Sequence, residues 1–282
     1  MAIGSNVEDT DTSGEKALEE LAGLGTEITG GVFGAAAGFV IGGPLGAVGG
    51  SALSPVAVRA LRGGADFVQR HLSHRERVRV GAVIQLAAAH IAEAIAAGRS
   101  VREDDFFRAD EGRRPQSAEI VEGVLQAAQR EYEERKLPYF ANLLAEIALR
   151  PDVDGGAANL YIRAANSVSY RQLQLLSLFA RSQIFQLPPG NYRERPLWSG
   201  DPVVPILSEI FDLLTRQFAQ VPGSYTLGLL DVTPSQIKLI GTGSQLVELM
   251  LLETIPPEEL VPIQALLFRS LGGEPTTAIR PS

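Results

Sequence analysis

The chain has 282 residues, of which 45% are hydrophobic and 21% charged, with a net charge of -8 and no cysteine. This length suits one large domain or two moderate ones, each able to bury a core. The lack of cysteine excludes disulfides, thiolate metal sites and cysteine nucleophiles. The acidic balance argues against nucleic-acid binding, which needs clustered Lys and Arg.

Residues 1–27 are predicted to form an acidic N-terminal tail and a short helix over GEKALEELAGLG. This segment lacks the basic start and the short apolar core of a signal peptide. We therefore expect the bulk of the chain to remain in the cytoplasm.

Residues 28–58 form a run of 31 residues without an ionisable side chain, in which glycine recurs at every fourth position. A spacing of four places residues on neighbouring turns of a helix. Each glycine costs a lone helix about 1 kcal/mol, a cost that is offset where another helix packs closely against it. The run therefore predicts a glycine zipper, here called the glycine stripe. It comprises Gly30, Gly34, Gly38, Gly42, Gly46 and Gly50.

Pro44 divides this run into two halves of about 15 residues, and neither half can cross about 30 Å of hydrocarbon alone. The whole run could span a membrane with a kink at Pro44, or its halves could fold back as a hairpin. The alternative is a glycine-rich linker or a hairpin that packs inside a soluble protein.

A basic block follows the uncharged run and carries six arginines against Asp66 and Glu76. Arginines beside an apolar segment attract anionic headgroups and keep the following chain in the cytoplasm. We therefore expect these side chains to lie at the membrane surface. They are Arg59, Arg62, Arg70, Arg75, Arg77 and Arg79.

Residues 59–187 are predicted to form a helical bundle, because apolar residues recur at helical spacing between short connectors. The first long helix is expected from Arg75 to Ala97. Residues that favour helix ends mark the boundaries. These residues are Gly98, Ser117, Pro138, Pro151 and either Ser167 or Ser169.

Residues 188–282 are predicted to form a winged-helix-like α+β unit, with helices on both sides of two short strands around DVTPS. The GTGS sequence at 241–244 lacks the lysine of a phosphate loop, so we interpret it as a turn into a helix capped by Thr242. This unit is acidic and therefore poorly suited to nucleic-acid phosphate.

No arrangement of residues predicts catalysis, and we expect neither an enzyme nor a cofactor or metal site. The chain has three histidines, of which His71 and His74 are predicted to be solvated and His90 to lie in a core or interface. The acidic residues at 103–105 are predicted to be a solvated patch.

The stretch from about 125 to 255 resembles the Abi-alpha family of bacterial abortive-infection proteins. The resemblance is carried by Ala141 to Leu144 in YFANLLAEIA and by Leu239, Gly243 and Leu246 in IKLIGTGSQLVELM, with Ile240 where the family has threonine. It implies a helical bundle and a role in anti-phage defence, without catalytic residues.

Together these features predict a pore-forming effector of abortive infection that homo-oligomerises and associates with or inserts into the inner membrane. Its expected partners are membrane lipids and an activator protein of the defence system, and not nucleic acid. The alternative is a soluble oligomeric scaffold or regulatory protein whose glycine-rich hairpin packs internally.

Overall fold

The computed structural model describes residues 72–108, 112, 114–194, 200–223 and 228–273. These residues form eight α-helices and one two-stranded sheet, which confirms the predicted mainly α class. The chain divides into two compact units, one ending at Asn166 and the other beginning at Ser167. The division predicted at 187–188 falls inside the second unit.

The first unit is built around α1, which packs against α2 and α3. Apolar residues of α1 recur at helical spacing and are fully buried, among them Val83, Ala87 and Ile91. Helix α3 is buried on nearly every side, as its continuous apolar sequence requires. The helices are α1 (His74–Ala96), α2 (Gln116–Arg130), α3 (Leu137–Leu149) and α4 (Gly155–Ser167), whose last residue starts the second unit.

A buried arginine, Arg102, ties the connector after α1 to the end of α3. Its guanidinium donates to the carbonyl of Val153 at 2.7 Å and to the carbonyl of Ile147 at 3.3 Å. The carboxylate of Asp104 accepts from its Nε at 2.8 Å. The Ile147 carbonyl belongs to the last turn of α3, where carbonyls have no partner within the helix, and the Val153 carbonyl lies in the loop that follows; the guanidinium provides both buried residues with a donor.

The second unit places α5 against α6, α7 and α8. Two short antiparallel strands lie between α6 and α7, with Ala219 opposite Leu239. Its elements are α5 (Tyr170–Ala180), α6 (Val203–Thr215), β1 (Ala219–Gln220), β2 (Lys238–Leu239), α7 (Gly241–Leu249) and α8 (Pro257–Arg269).

Several predicted helix ends are confirmed. Ser169 caps α5 through two hydrogen bonds with Gln172. The backbone N–H of each residue donates to the side chain of the other. Pro138 lies in the first turn of α3, which ends before Pro151. Gly98 follows α1 in the left-handed conformation, at φ +90°.

Two predicted caps and one predicted strand are wrong. Pro115 precedes α2, so Ser117 lies inside its first turn and is buried. Ile240 precedes α7, so Thr242 is also inside a helix. The first predicted strand lies partly outside the described residues, and its last two residues, Leu229 and Leu230, form a 3₁₀ turn with Asp231, while β1 is the strand that pairs with β2.

The GTGS sequence begins α7 and serves close packing of the backbone. A Cβ atom at Gly243 would overlap the carbonyl oxygen of Phe218, the residue before β1. That oxygen accepts a hydrogen bond from the backbone N–H of Ile240 at 3.1 Å. Only glycine allows the helix and the strand to approach this closely.

Candidate functional site

Most residues of the predicted membrane site lie outside the described residues. This applies to the whole glycine stripe, to Pro44 and to the arginines at 59, 62 and 70, so their roles stay predictions. His71 also lies outside. The described chain begins at Leu72, and it contains the last three arginines of the basic block: Arg75, Arg77 and Arg79.

The first turn of α1 is stabilised by a capping box. Ser73 accepts the Glu76 N–H with its hydroxyl at 3.4 Å, and Glu76 accepts the Ser73 N–H at 2.7 Å. The Gln129 side-chain amide also donates to Glu76, at 3.0 Å. Hydrogen bonds to the Glu76 carboxylate, led by one from the Ser73 side chain and followed by those from Gln129 and the Ser73 backbone N–H, lower the pKa of Glu76 to about 2. The start of α1 is therefore fixed both locally and to the end of α2.

Arg75 and Arg79 lie one helical turn apart and donate to the same oxygen of Glu134. Their Nε atoms are 2.9 Å and 3.0 Å from Glu134 Oε1. Arg79 also donates to the Gln129 carbonyl at 3.2 Å. Burial by itself raises the pKa of Glu134, but the hydrogen bonds and charges of the two guanidinium groups outweigh it and hold the pKa below its usual value.

These contacts separate the three described arginines of the basic block into two groups. The side chain of Arg79 is only 15% exposed and serves the packing of α1 on α2. The side chain of Arg75 is 65% exposed although it contacts Glu134. Arg77 is exposed. Arg75 and Arg77 are therefore the members of this group that solvent or a lipid surface can reach.

The loop between α2 and α3 lies beside the start of α1 and is held by a buried ion pair. Lys136 donates to Glu131, and both side chains are almost fully buried. A second Glu131 oxygen accepts the backbone N–H of Glu133 at 2.9 Å. Tyr132 lies between these anchors with 83% of its surface exposed. The exposed residues Arg130 and Arg135 flank it.

Sequence reasoning missed this loop as part of the site. Its residues lie in QREYEERK, where three cations balance three anions, so no net basic signal marks Arg130 or Arg135. The tyrosine between charged residues was the available signal. The position of this loop beside the start of α1 depends on the contact of Arg75 with Glu134, residues 59 positions apart, which the sequence pattern does not indicate.

His90 lies in a packed interface, as predicted, and contacts the buried carboxylate of Glu146. Its Nε2 is 2.8 Å from Glu146 Oε1, and Arg99 binds both carboxylate oxygens at 2.7 Å and 2.8 Å. Burial alone raises the pKa of Glu146, but the hydrogen bonds from Arg99 and His90 outweigh it and lower the pKa to about 2. This cluster joins α1 to α3.

The described residues offer few other places for chemistry. No group of three His, Asp or Glu side chains among them could hold a metal ion. A groove of about 450 Å³ beside β1 is lined by residues such as Phe211, Leu214 and Gln217, and no titratable side chain lines it. The acidic residues at 103–105 are exposed, as predicted, although Asp104 also binds Arg102.

Helix α1 has one further property that bears on membranes. Among the residues that the structure describes, it alone is long and apolar enough to cross a bilayer by length and composition. Half of its most apolar stretch is buried within the protein. A core helix of a soluble protein has the same properties, and the packing of α1 on α2 and α3 corresponds to that case.

No protein-family model, curated protein or solved structure matches the chain.

Proposed function

We propose that this protein is a membrane-associated, oligomerising effector of bacterial anti-phage defence that perturbs the inner membrane through the glycine stripe. The main support is the start of α1. An uncharged run of 31 residues is followed by a basic block, and the end of that block is a capped helix turn fixed to a folded helical unit. Such a junction can transmit force or movement between an apolar segment and a folded body.

Each part of the chain has a role in this proposal. The glycine stripe brings helices of neighbouring copies into close contact, because glycines allow helix axes to approach. The basic block is attracted to anionic headgroups and keeps the helical units on the cytoplasmic side. Abortive infection as the biological role is taken from the resemblance to the Abi-alpha family.

The second unit is proposed to be winged-helix-like and to contact protein rather than nucleic acid. The support is its order of elements, in which the antiparallel pair of β1 and β2 lies between α6 and α7. Its acidic composition disfavours phosphate. An activator protein of the defence system is the partner that we propose for it.

A soluble oligomeric scaffold or regulatory protein is the second candidate. The observation that favours it is the involvement of the basic block in intramolecular contacts. Arg79 is mostly buried, and Arg75 and Arg79 share Glu134. In this alternative the glycine-rich hairpin packs within the protein and the arginines serve the fold.

The experiment compares the intact chain with a chain that lacks residues 28–58, in a bacterial host under conditions that trigger defence. Membrane fractionation and growth are followed together. We expect the intact chain to enter the membrane fraction and stop growth, and the shortened chain to remain soluble and harmless. Equal solubility and equal growth would refute the effector function and favour the scaffold.

A point variant tests the glycine stripe itself. We expect Gly38→Leu to keep or increase membrane affinity and to abolish oligomers, because the new side chain blocks close helix contact. The matched control is Gly31→Leu, which adds the same apolar side chain outside the stripe. Cross-linking in membranes measures assembly. If both variants assembled like the unmodified chain, the stripe would have no role.

A further inference from the structure

We propose that one end of the first unit is a docking surface for the headgroups of anionic phospholipids. This inference rests on the proposed membrane function and names the part of the folded body that meets the bilayer. The surface, here called the arginine–tyrosine surface, is formed by the start of α1 and the loop after α2. It comprises Arg75, Arg77, Arg130, Tyr132 and Arg135.

The two segments lie together because several polar contacts join them. Gln129 donates to Glu76, and Arg79 donates to the Gln129 carbonyl. Glu134 accepts from both Arg75 and Arg79. Residues that are 50 to 59 positions apart in sequence are therefore fixed at one end of the unit.

This end is positively charged, although the protein as a whole is acidic. Residues 72–79 and 129–136 carry six Lys and Arg side chains and four carboxylates. Two of those carboxylates pair with cations at the same end, Glu131 with the buried Lys136 and Glu134 with two arginines. The two segments together carry a net charge of +2, and four of their arginines are exposed while none of their carboxylates is, which complements an anionic lipid surface.

Tyr132 is the second and independent observation. With 83% of its surface exposed, it is the most exposed large hydrophobic residue of the described chain. Tyrosine is enriched where membranes meet water, because its ring is apolar and its hydroxyl is polar. The buried ion pair of Lys136 with Glu131 fixes the loop on both sides of Tyr132, so the ring is presented by a well-anchored loop.

A bilayer suits this surface better than nucleic acid does. The chain enters this end directly from the basic block, and the uncharged run at 28–58 ends only 14 residues before the first described residue, Leu72. An apolar segment so close in sequence brings the surface to the membrane. Nucleic acid would need more phosphate contacts than these few arginines supply.

The test measures partitioning of the full-length protein onto vesicles of phosphatidylethanolamine, with and without phosphatidylglycerol. We expect Arg77→Glu to weaken binding to the anionic vesicles by tenfold or more. A cation near such a surface contributes roughly fivefold, and reversal of its sign both removes attraction and adds repulsion. Adding Arg130→Glu should weaken binding further.

The matched control is Arg163→Glu, which makes the same change in net charge on an exposed residue of α4 in the same unit. Its neighbour Ile162 faces Gly123, about two turns of α2 away from Arg130. We expect this control to bind anionic vesicles like the unmodified chain. Circular dichroism verifies that each variant is folded. Equal effects of Arg77→Glu and Arg163→Glu would overturn the proposal.

Further measurements test the role of Tyr132 and the identity of the ligand. Tyr132→Ser should weaken vesicle binding by a similar factor at low and high salt, because the contribution of the ring is not electrostatic. A salt-dependent effect of this variant, or equal binding to vesicles with and without phosphatidylglycerol, would overturn the proposal. Tighter binding of an RNA oligomer than of the anionic vesicles would also overturn it.

Dye release from the same vesicles separates this inference from the proposed function. Binding reports the arginine–tyrosine surface, and release reports perturbation of the bilayer by the glycine stripe. Arginine-dependent binding without release would contradict the effector function while supporting the surface. If the Arg77→Glu and Arg130→Glu variants bound vesicles and released dye like the unmodified chain, the docking surface would be refuted, and the effector function would not.

Discussion

Gln217 has the backbone conformation that most favours glycine. It follows α6 at φ 58°, and its N–H donates to the Leu214 carbonyl while that of Phe218 donates to the Leu213 carbonyl. Gly98 closes α1 with the same pair of hydrogen bonds. A side chain in this left-handed conformation costs about 1 kcal/mol or more. We therefore expect Gln217→Gly to raise the free energy of unfolding by about 1 kcal/mol.

Urea denaturation of the full-length protein measures this change. The reverse substitution, Gly98→Gln, is the matched control, and it should lower the free energy of unfolding by a similar amount because nothing lies within 4 Å of a Cβ at that position. Both residues are exposed, so neither change alters the core. A destabilising Gln217→Gly would mean that the glutamine side chain makes a contribution larger than the backbone cost.

At the scale of elements, Glu146 joins α3 to α1 and makes their packing dependent on pH. Its folded-state pKa of about 2 lies below the ordinary value of 4.5. The ionised carboxylate therefore stabilises the fold above about pH 4.5, and this stabilisation is lost as the pH falls towards 2. The shift corresponds to about 3 kcal/mol. We expect Glu146→Gln to remove this part of the pH dependence and to destabilise the protein at neutral pH.

Unfolding free energies at several pH values between 2 and 7 test this expectation. Glu93→Gln is the control, since Glu93 is an exposed carboxylate on the same helix α1. The control should keep the acid-induced loss of stability. If the unfolding free energy of Glu146→Gln changed with pH as steeply as that of the unmodified chain, the contact of Glu146 with Arg99 and His90 would contribute nothing to the pH dependence of stability.

Helix positions were predictable from the sequence because their signals are local. Ser169 and Gln172 satisfy each other's backbone within one turn, and Pro138 needs only its own ring to favour a first turn. The cap predicted at Ser117 is wrong because the helix begins at Gln116, directly after Pro115, so that the serine lies inside the first turn. Local signals therefore locate helices well but leave their first residue uncertain by a position or two.

The sheet and the candidate site were less predictable because they depend on distant partners. The leucine-rich sequence YTLGLL before DVTPS favours a strand, but β2 pairs with Ala219 and Gln220, which follow the left-handed end of α6 at Gln217. In the same way, Arg75 belongs to the basic block by sequence, whereas its partner Glu134 is supplied by the loop that follows the next helix, α2. The sequence pattern of one segment does not indicate which distant segment it will contact.

At the scale of the whole molecule, the two compact units allow the proposed membrane surface and the proposed protein-binding unit to be disturbed separately. Gly243→Ala introduces a Cβ that overlaps the Phe218 carbonyl oxygen, so α7 or β1 must move. Overpacking of this kind costs about 2 to 3 kcal/mol. We expect the variant to destabilise the second unit and to leave the first unit and its vesicle binding unchanged.

Hydrogen exchange followed along the chain measures this difference, because amides in α5 to α8 report the second unit and amides in α1 to α3 report the first. Gly123→Ala is the matched control in the first unit. Its new Cβ would lie 3.6 Å from Ile162 Cδ1, an ordinary contact, and alanine favours α2 by about 1 kcal/mol over glycine. Exchange in α1 to α3 should therefore slow in the control and stay constant in Gly243→Ala. Faster exchange in both units of Gly243→Ala would show that they unfold together, and the membrane surface would then depend on the second unit for its stability.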